Sequence, residues 1–120
     1  MRILNLTQHV ATRDQFAAGV VEPAHKPEVQ ELLTFEELPS RAWILAKAQA
    51  LAELARAHAA DVVLIGGAPF FMAPLEAALK KVGIKPLYSF TLRTEAGEEP
   101  DGKGGMRKSH VFRHVGFIEV

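Results

Sequence analysis

The chain has 120 residues, 48% of them apolar, with 14 basic and 14 acidic side chains and no cysteine. That length supports one hydrophobic core and one domain, residues 1–120, and the charge balance argues against duplex nucleic acid or an anionic membrane as a resident partner. Without cysteine there is no disulfide framework, thiolate nucleophile or cysteine-ligated zinc. With no leader-like start and no apolar run long enough for a bilayer, a cytoplasmic location is expected.

In chain order, residues 2–6 form a short Leu- and Ile-rich run that stops at polar residues, as a buried parallel strand does. A short helix follows over 13–18, with Gly19 placed to end it in the left-handed conformation. Val20 and Val21 suit a brief second strand, and 22–26, near Pro23 and Pro27, reads as a surface connection. Thr34 with Glu37 resembles a capping box, but Pro39 points to a turn there, so the long helix is capped by Ser40 and runs to about Ala59. Its apolar stripe, Ile44, Ala48, Leu51, Leu54 and Ala55, is fit to cover a sheet.

A third strand is expected over 61–65, then a loop over 66–73 and a helix begun by Pro74 at its first position, with Leu75, Ala78, Leu79 and Val82 facing inward and Gly83 as the stop. The segments 85–94 and 107–120 are rich in aromatic and β-branched residues and flank an acidic, glycine-rich stretch, 95–105. They read as a hairpin with a long tip, the one candidate for disorder. The alternation of strands and helices implies an α/β sandwich with parallel early strands and an antiparallel last one.

Two strand ends carry the candidate chemistry. Gly66-Gly67-Ala68-Pro69 allows close backbone approach to a ligand ahead of a helix whose amides and dipole suit a phosphate. It lacks the Lys-Ser or Lys-Thr of a P-loop and the third glycine of a dinucleotide fingerprint, so a turn that needs glycine only for its dihedrals is the alternative. Thr7, Gln8, His9 and Thr12 follow the first strand at the same end of the sheet. His9 is suited to acid–base work, and Thr7 and Gln8 to holding a base edge or phosphate oxygen. The alternative is that they cap the short helix and satisfy loop backbone groups. Phe70 or Phe71 could stack on a base, with two core aromatics as the alternative.

In the strand from Tyr88, the residues Tyr88, Phe90 and Leu92 alternate with Ser89, Thr91 and Arg93, so one face should pack and the other be polar. Arg93 could clamp a phosphate or stabilise its developing charge, against the alternative of an exposed hairpin arginine. His110 and His114 are unsuited to sharing a metal ion, because four residues of strand span roughly 13 Å. His58, near a helix C-terminus, reads as a satisfied histidine. No metal or cofactor is expected.

The stretches ILNLTQHVATRDQ and LIGGAPFFMAPLEAALKKVGIKPLYSFTLR resemble the small CRISPR-associated proteins with a minimal CARF-like Rossmann fold, several groups of which are cyclic-oligoadenylate ring nucleases. The resemblance covers mainly residues 2–18 and 61–93, including the helix start Thr12-Arg13-Asp14-Gln15. It implies a Rossmann-like (CARF-like) sandwich, mainly parallel with a C-terminal antiparallel hairpin, and a homodimer that binds a ring of adenylates across a twofold axis. Residues 7–12, 66–71 and 89–93 would border the ligand, bringing in Ala68, Ser89 and Thr91 as contacts. The implied reaction is metal-independent attack of a ribose 2'-hydroxyl on its neighbouring phosphate. His9 would serve acid–base or positioning chemistry, Arg93 charge stabilisation, Gly66 and Gly67 backbone contact, and Thr7 and Gln8 ligand orientation. A non-catalytic nucleotide or anion sensor and an interaction protein of a defence system stand as alternatives.

Overall fold

The computed structural model describes residues 1–100 and 105–120, and side chains at 1–92, 105 and 113–120. The elements run β1 (Ile3–Leu6), α1 (Arg13–Ala17), β2 (Val20–Val21), α2 (Lys26–Leu33), α3 (Arg41–Ala57), β3 (Val62–Ile65), α4 (Pro69–Lys81), β4 (Lys85–Pro100) and β5 (Met106–Glu119). They build one five-stranded sheet in the order β2-β1-β3-β4-β5. β1 pairs in parallel with β2 and β3, and β3 with β4, while β5 returns antiparallel to β4. The architecture is therefore α/β, mainly parallel, with the expected antiparallel C-terminal pair.

β1 explains why this sheet holds together. All four of its residues are buried, a pattern that only a strand covered on both faces sustains. On one face Leu4, Leu6, Val63 and Ile65 meet Val29 and Leu33 of α2, Leu51 and Ala55 of α3 and Phe71, Leu75 and Leu79 of α4. On the other, Ile3, Val20, Leu64 and Leu87 form a smaller cluster with Ala11 and Phe117 against it. The short α1 contributes no buried residue. Leu51, Phe71, Leu75 and Leu79 are each fully enclosed, which stabilises by roughly 1.5–3 kcal/mol per side chain.

The helix ends follow local chemistry. Thr12 and Gln15 form a reciprocal capping box on α1, and Ser40 caps α3 by accepting from the Trp43 amide. Gly19 is the one residue its turn admits: φ is +106°, and a Cβ there would lie 2.0 Å from the Met1 carbonyl oxygen.

Four expectations are corrected. The 22–26 connection leads directly into α2, a helix the sequence reading did not contain; Pro27 stands at its start, where a missing N–H costs nothing. α4 begins at Pro69, five residues before the expected start, so Phe70 and Phe71 are helical and Pro74 lies inside the helix. Two prolines competed for the first position, and the glycine turn made the earlier one available. β4 continues through the expected 95–105 loop as far as Pro100, with register shifts between Phe90 and Thr91 and between Glu95 and Gly97. Cross-strand pairing there outweighs the weak strand preference of Glu and Gly; the rest of the expected tip, 101–104, lies outside the described residues. Phe90 and Leu92, expected to pack, are each 44% exposed. Among the described residues Phe90, Thr91 and Leu92 are all exposed, so at this end of the described strand neither face packs.

Candidate functional site

The strand order places a topological switch point between β1 and β3, whose connections leave in opposite directions, and ligands of open α/β sheets bind in the crevice outside the strand ends at that point. A crevice of about 460 Å³ lies there, lined by Thr7, Gln8, His9, Thr12, Gly66 and Gly67, with Gln15, Tyr88 and Ser89 on its wall. A larger groove of about 650 Å³ runs between α3 and α4. It is walled mainly by alanine and aliphatic side chains with charges only at its margins, so the smaller crevice, where polar groups converge, is the chemical site.

The loop after β1 is held by a buried polar cluster. Asn5 is the one fully buried polar side chain among the described residues. Its Oδ1 accepts from the Thr7 amide at 3.0 Å and the Thr7 hydroxyl at 2.7 Å, and its Nδ2 donates to the His9 carbonyl at 2.8 Å and to Glu22 at 2.6 Å. Glu22 also accepts from the Ala11 amide. Lys26 completes the cluster by donating to the carbonyls of Thr7 at 2.6 Å and His9 at 2.9 Å. Burial lowers the Lys26 ammonium pKa from its usual value, and the facing Glu22 carboxylate offsets part of that shift. Residues 7–11 thus keep their shape without any ligand.

This cluster decides between the two readings of the first loop. Thr7 donates its hydroxyl to Asn5, Gln8 donates to the Thr34 hydroxyl, and Thr12 accepts from the Gln15 amide. These three line the crevice with polar atoms already engaged in building it. His9 differs: it is exposed on the crevice wall, and among the described residues its ring makes no hydrogen bond.

Gly66 and Gly67 both line the crevice for different reasons. Gly67 has φ +153°, outside the comfortable range of L side chains. Gly66 has ordinary dihedrals, and a Cβ on it would sit 3.7 Å from Thr7 Cγ2, across the crevice. Ala68 is the N-cap of α4. Phe71 is buried, whereas Phe70 is 49% exposed and packs edge-on against Phe35 at 5.0 Å. The expected pair of core aromatics is therefore one core residue and one rim residue.

Of the β4 candidates, Ser89 faces the crevice and Thr91 is exposed further along the strand, opposite His114. The backbone of Arg93 pairs with Phe112, and its side chain lies outside the described residues. So does that of His110; the segment that carries it is the extended strand expected there.

The sequence reading missed the partner of Ser89. His114 Nδ1 lies 2.9 Å from Ser89 Oγ, and Gln15 Nε2 lies 3.3 Å from the same oxygen. The His114 ring leans on Phe117 at 4.6 Å. The alternation of β4 marked Ser89 as facing away from the helices, but pairing Ser89 with His114 requires the β4–β5 register, shifted by the irregularity after Phe90. His58 is satisfied as expected: Nδ1 bonds the Leu54 carbonyl and Nε2 accepts from the Ala24 amide. Among the described residues no group of three or more acidic, histidine or cysteine side chains is arranged to hold a metal, and no helix is long and apolar enough to cross a membrane.

The chain belongs to the family described as Uncharacterized protein MJ1673, whose model matches residues 1–118. No curated protein and no solved structure matches it.

Proposed function

We propose that this member of the MJ1673 family binds a cyclic oligoadenylate in the switch-point crevice and opens the ring without a metal. The observation that carries this reading is the convergence, at one strand-end crevice, of the segments after β1 and β3 and of Ser89. These are the segments that the resemblance to CARF-like ring nucleases implies as ligand borders. Among the described residues the crevice lining carries no carboxylate to repel phosphate, and its Gly67 immediately precedes the N-cap of α4, whose dipole favours an anion.

In the reaction the ribose 2'-oxygen attacks the adjacent phosphorus in line. The new P–O2' bond forms as the P–O5' bond breaks, leaving a 2',3'-cyclic phosphate and a 5'-hydroxyl. Alignment and charge stabilisation supply most of such an acceleration. His9, exposed and with a ring that makes no hydrogen bond among the described residues, is the group for protonating or positioning the ligand. Gly66 and Gly67 offer backbone contact, and Arg93 is the proposed charge stabiliser. Thr7, Gln8 and Thr12 act chiefly by shaping the wall. About 460 Å³ suits a ligand of ordinary small-molecule size and is less than a ring of several nucleotides needs, so the proposal includes a homodimer with two crevices facing one ring.

The test is incubation of the purified protein with cyclic tetra- and hexa-adenylate in EDTA, with products resolved by chromatography and mass spectrometry. Linear products ending in a 2',3'-cyclic phosphate are expected. Intact rings with a thermal shift would replace the enzyme by a sensor, and intact rings without a shift would remove the ligand class.

A further inference from the structure

The structure assigns Ser89 and His114 as a proton relay on the crevice wall, with its direction set by the capping box of α1. Its first two steps follow from atoms that can only donate. The Thr12 amide donates to Gln15 Oε1 at 3.0 Å, which fixes the orientation of the Gln15 side-chain amide. Gln15 Nε2 therefore faces Ser89 and donates to its oxygen. With one lone pair of Ser89 Oγ engaged there, the relay takes the arrangement in which the serine proton points at the other neighbour, His114 Nδ1. His114 in this arrangement is the tautomer with Nδ1 bare and the proton on Nε2. Three elements distant in sequence thus form one directed chain of hydrogen bonds, and its open end, Ser89, lies in the crevice.

This inference rests on the ring-opening reading and adds the group that takes the attacking proton. As the P–O2' bond forms, the 2'-hydroxyl proton passes to Ser89 Oγ while the Ser89 proton moves to His114 Nδ1, giving an imidazolium. The electron pair of the breaking P–O5' bond goes to the 5'-oxygen, which takes a proton from water in the open crevice. Return of the Nδ1 proton through Ser89 to solvent, with Nε2 keeping its own, restores the starting pair. Ser89 is the catalytic residue; Gln15 is a positioning residue that acts only through the direction of the Ser89 hydroxyl.

Gln15→Glu isolates that direction. A carboxylate at this position keeps the capping box, since Thr-x-x-Glu is a standard form of it, but it accepts from Ser89 where Gln15 donates, which turns the serine proton away from His114. Nitrogen-15 NMR of the imidazoles is expected to show the Nε2–H tautomer of His114 in the wild type and the Nδ1–H tautomer in Gln15→Glu. In single-turnover cleavage of the cyclic oligoadenylate, Ser89→Ala, His114→Ala and Gln15→Glu should each lose about a hundredfold or more in rate. The Ser89→Ala/His114→Ala double variant should lose little further, because the groups act as a unit. Binding, measured by calorimetry, should remain close to the wild-type value in His114→Ala and weaken in Gln15→Glu, which brings a carboxylate to the crevice wall. An Nδ1–H tautomer in the wild type overturns the relay, as does undiminished cleavage by Ser89→Ala or His114→Ala. Failure of the wild type itself to cleave overturns the ring-opening reading, and the relay with it.

Discussion

Replacing Asn5 tests whether the first crevice loop is built by the polar cluster beneath it. The side chain is fully buried and joins Thr7, His9 and Glu22. Bonds to a charged partner contribute about 1.5–3 kcal/mol and neutral ones about 0.5–1.5 kcal/mol, with a further cost for any group left buried and unpaired. Asn5→Ala should therefore lose about 3–5 kcal/mol, a large share of a small domain's stability but short of unfolding most domains. Glu22→Gln keeps the shape and removes the charge that faces both Asn5 and Lys26, so about 2 kcal/mol is expected. Because the two side chains touch, the double variant should fall short of additivity by about 1–2 kcal/mol. Urea unfolding followed through the single tryptophan, Trp43, measures all three variants. An Asn5→Ala loss below about 1 kcal/mol, or additivity within about 0.3 kcal/mol, would refute the claim that the loop is supported this way.

Further outcomes follow from the same geometry. Gly67→Ala places a Cβ at a positive φ and should lower stability by about 1–2 kcal/mol; Gly66→Ala should fold almost normally while weakening ligand binding, because its Cβ projects toward Thr7. Thermal melts and calorimetry distinguish the two. Phe71→Ala, in the centre of the helical layer, should cost about 3–5 kcal/mol in denaturant unfolding. Tyr88 donates to Glu76 at 2.6 Å, and burial first, then that carboxylate, raises its phenol pKa above the ordinary value. Below about pH 10 the phenol is neutral in both states and its contribution is intact. Above that the unfolded chain ionises first, so stability falls as pH rises. As Tyr88 is the single tyrosine, ultraviolet absorbance should show tyrosinate appearing together with unfolding. Ionisation near pH 10 in the folded protein would contradict this.

What the sequence disclosed was what its local periods encode. The strands β1 and β3 were legible as short, nearly continuous aliphatic runs, broken in β1 only by Asn5, the Ser40 cap by its residue type before a helical stripe, and the stripe of α3 because burial on a helix repeats every three to four residues. α2 was obscured because Pro27, which reads as a breaker in a string of letters, is harmless in the first turn. The crevice was legible to the extent that it sits on strand ends: the residues after β1 and the glycines after β3 do meet. Their roles were harder to read, since Thr7, Gln8 and Thr12 are engaged by Asn5, Thr34 and Gln15, and nothing local announces those partners. The Ser89–His114 pair spans 25 positions and depends on a bulge, so no window of sequence contained it.

α1 has a different kind of hold on the molecule from every other helix. None of its residues is buried; Gln15 ties it to β4 through one hydrogen bond, and the Gly19 carbonyl fastens the following turn to β1. Burial is what makes an element unfold only with the whole protein, and hydrogen bonds near solvent open at far lower cost. α1 can therefore detach while the core stays closed, and its amides should exchange with solvent well ahead of those of β1 and α3. The same segment carries Gln15, so each such opening would release its hold on Ser89 at the crevice wall.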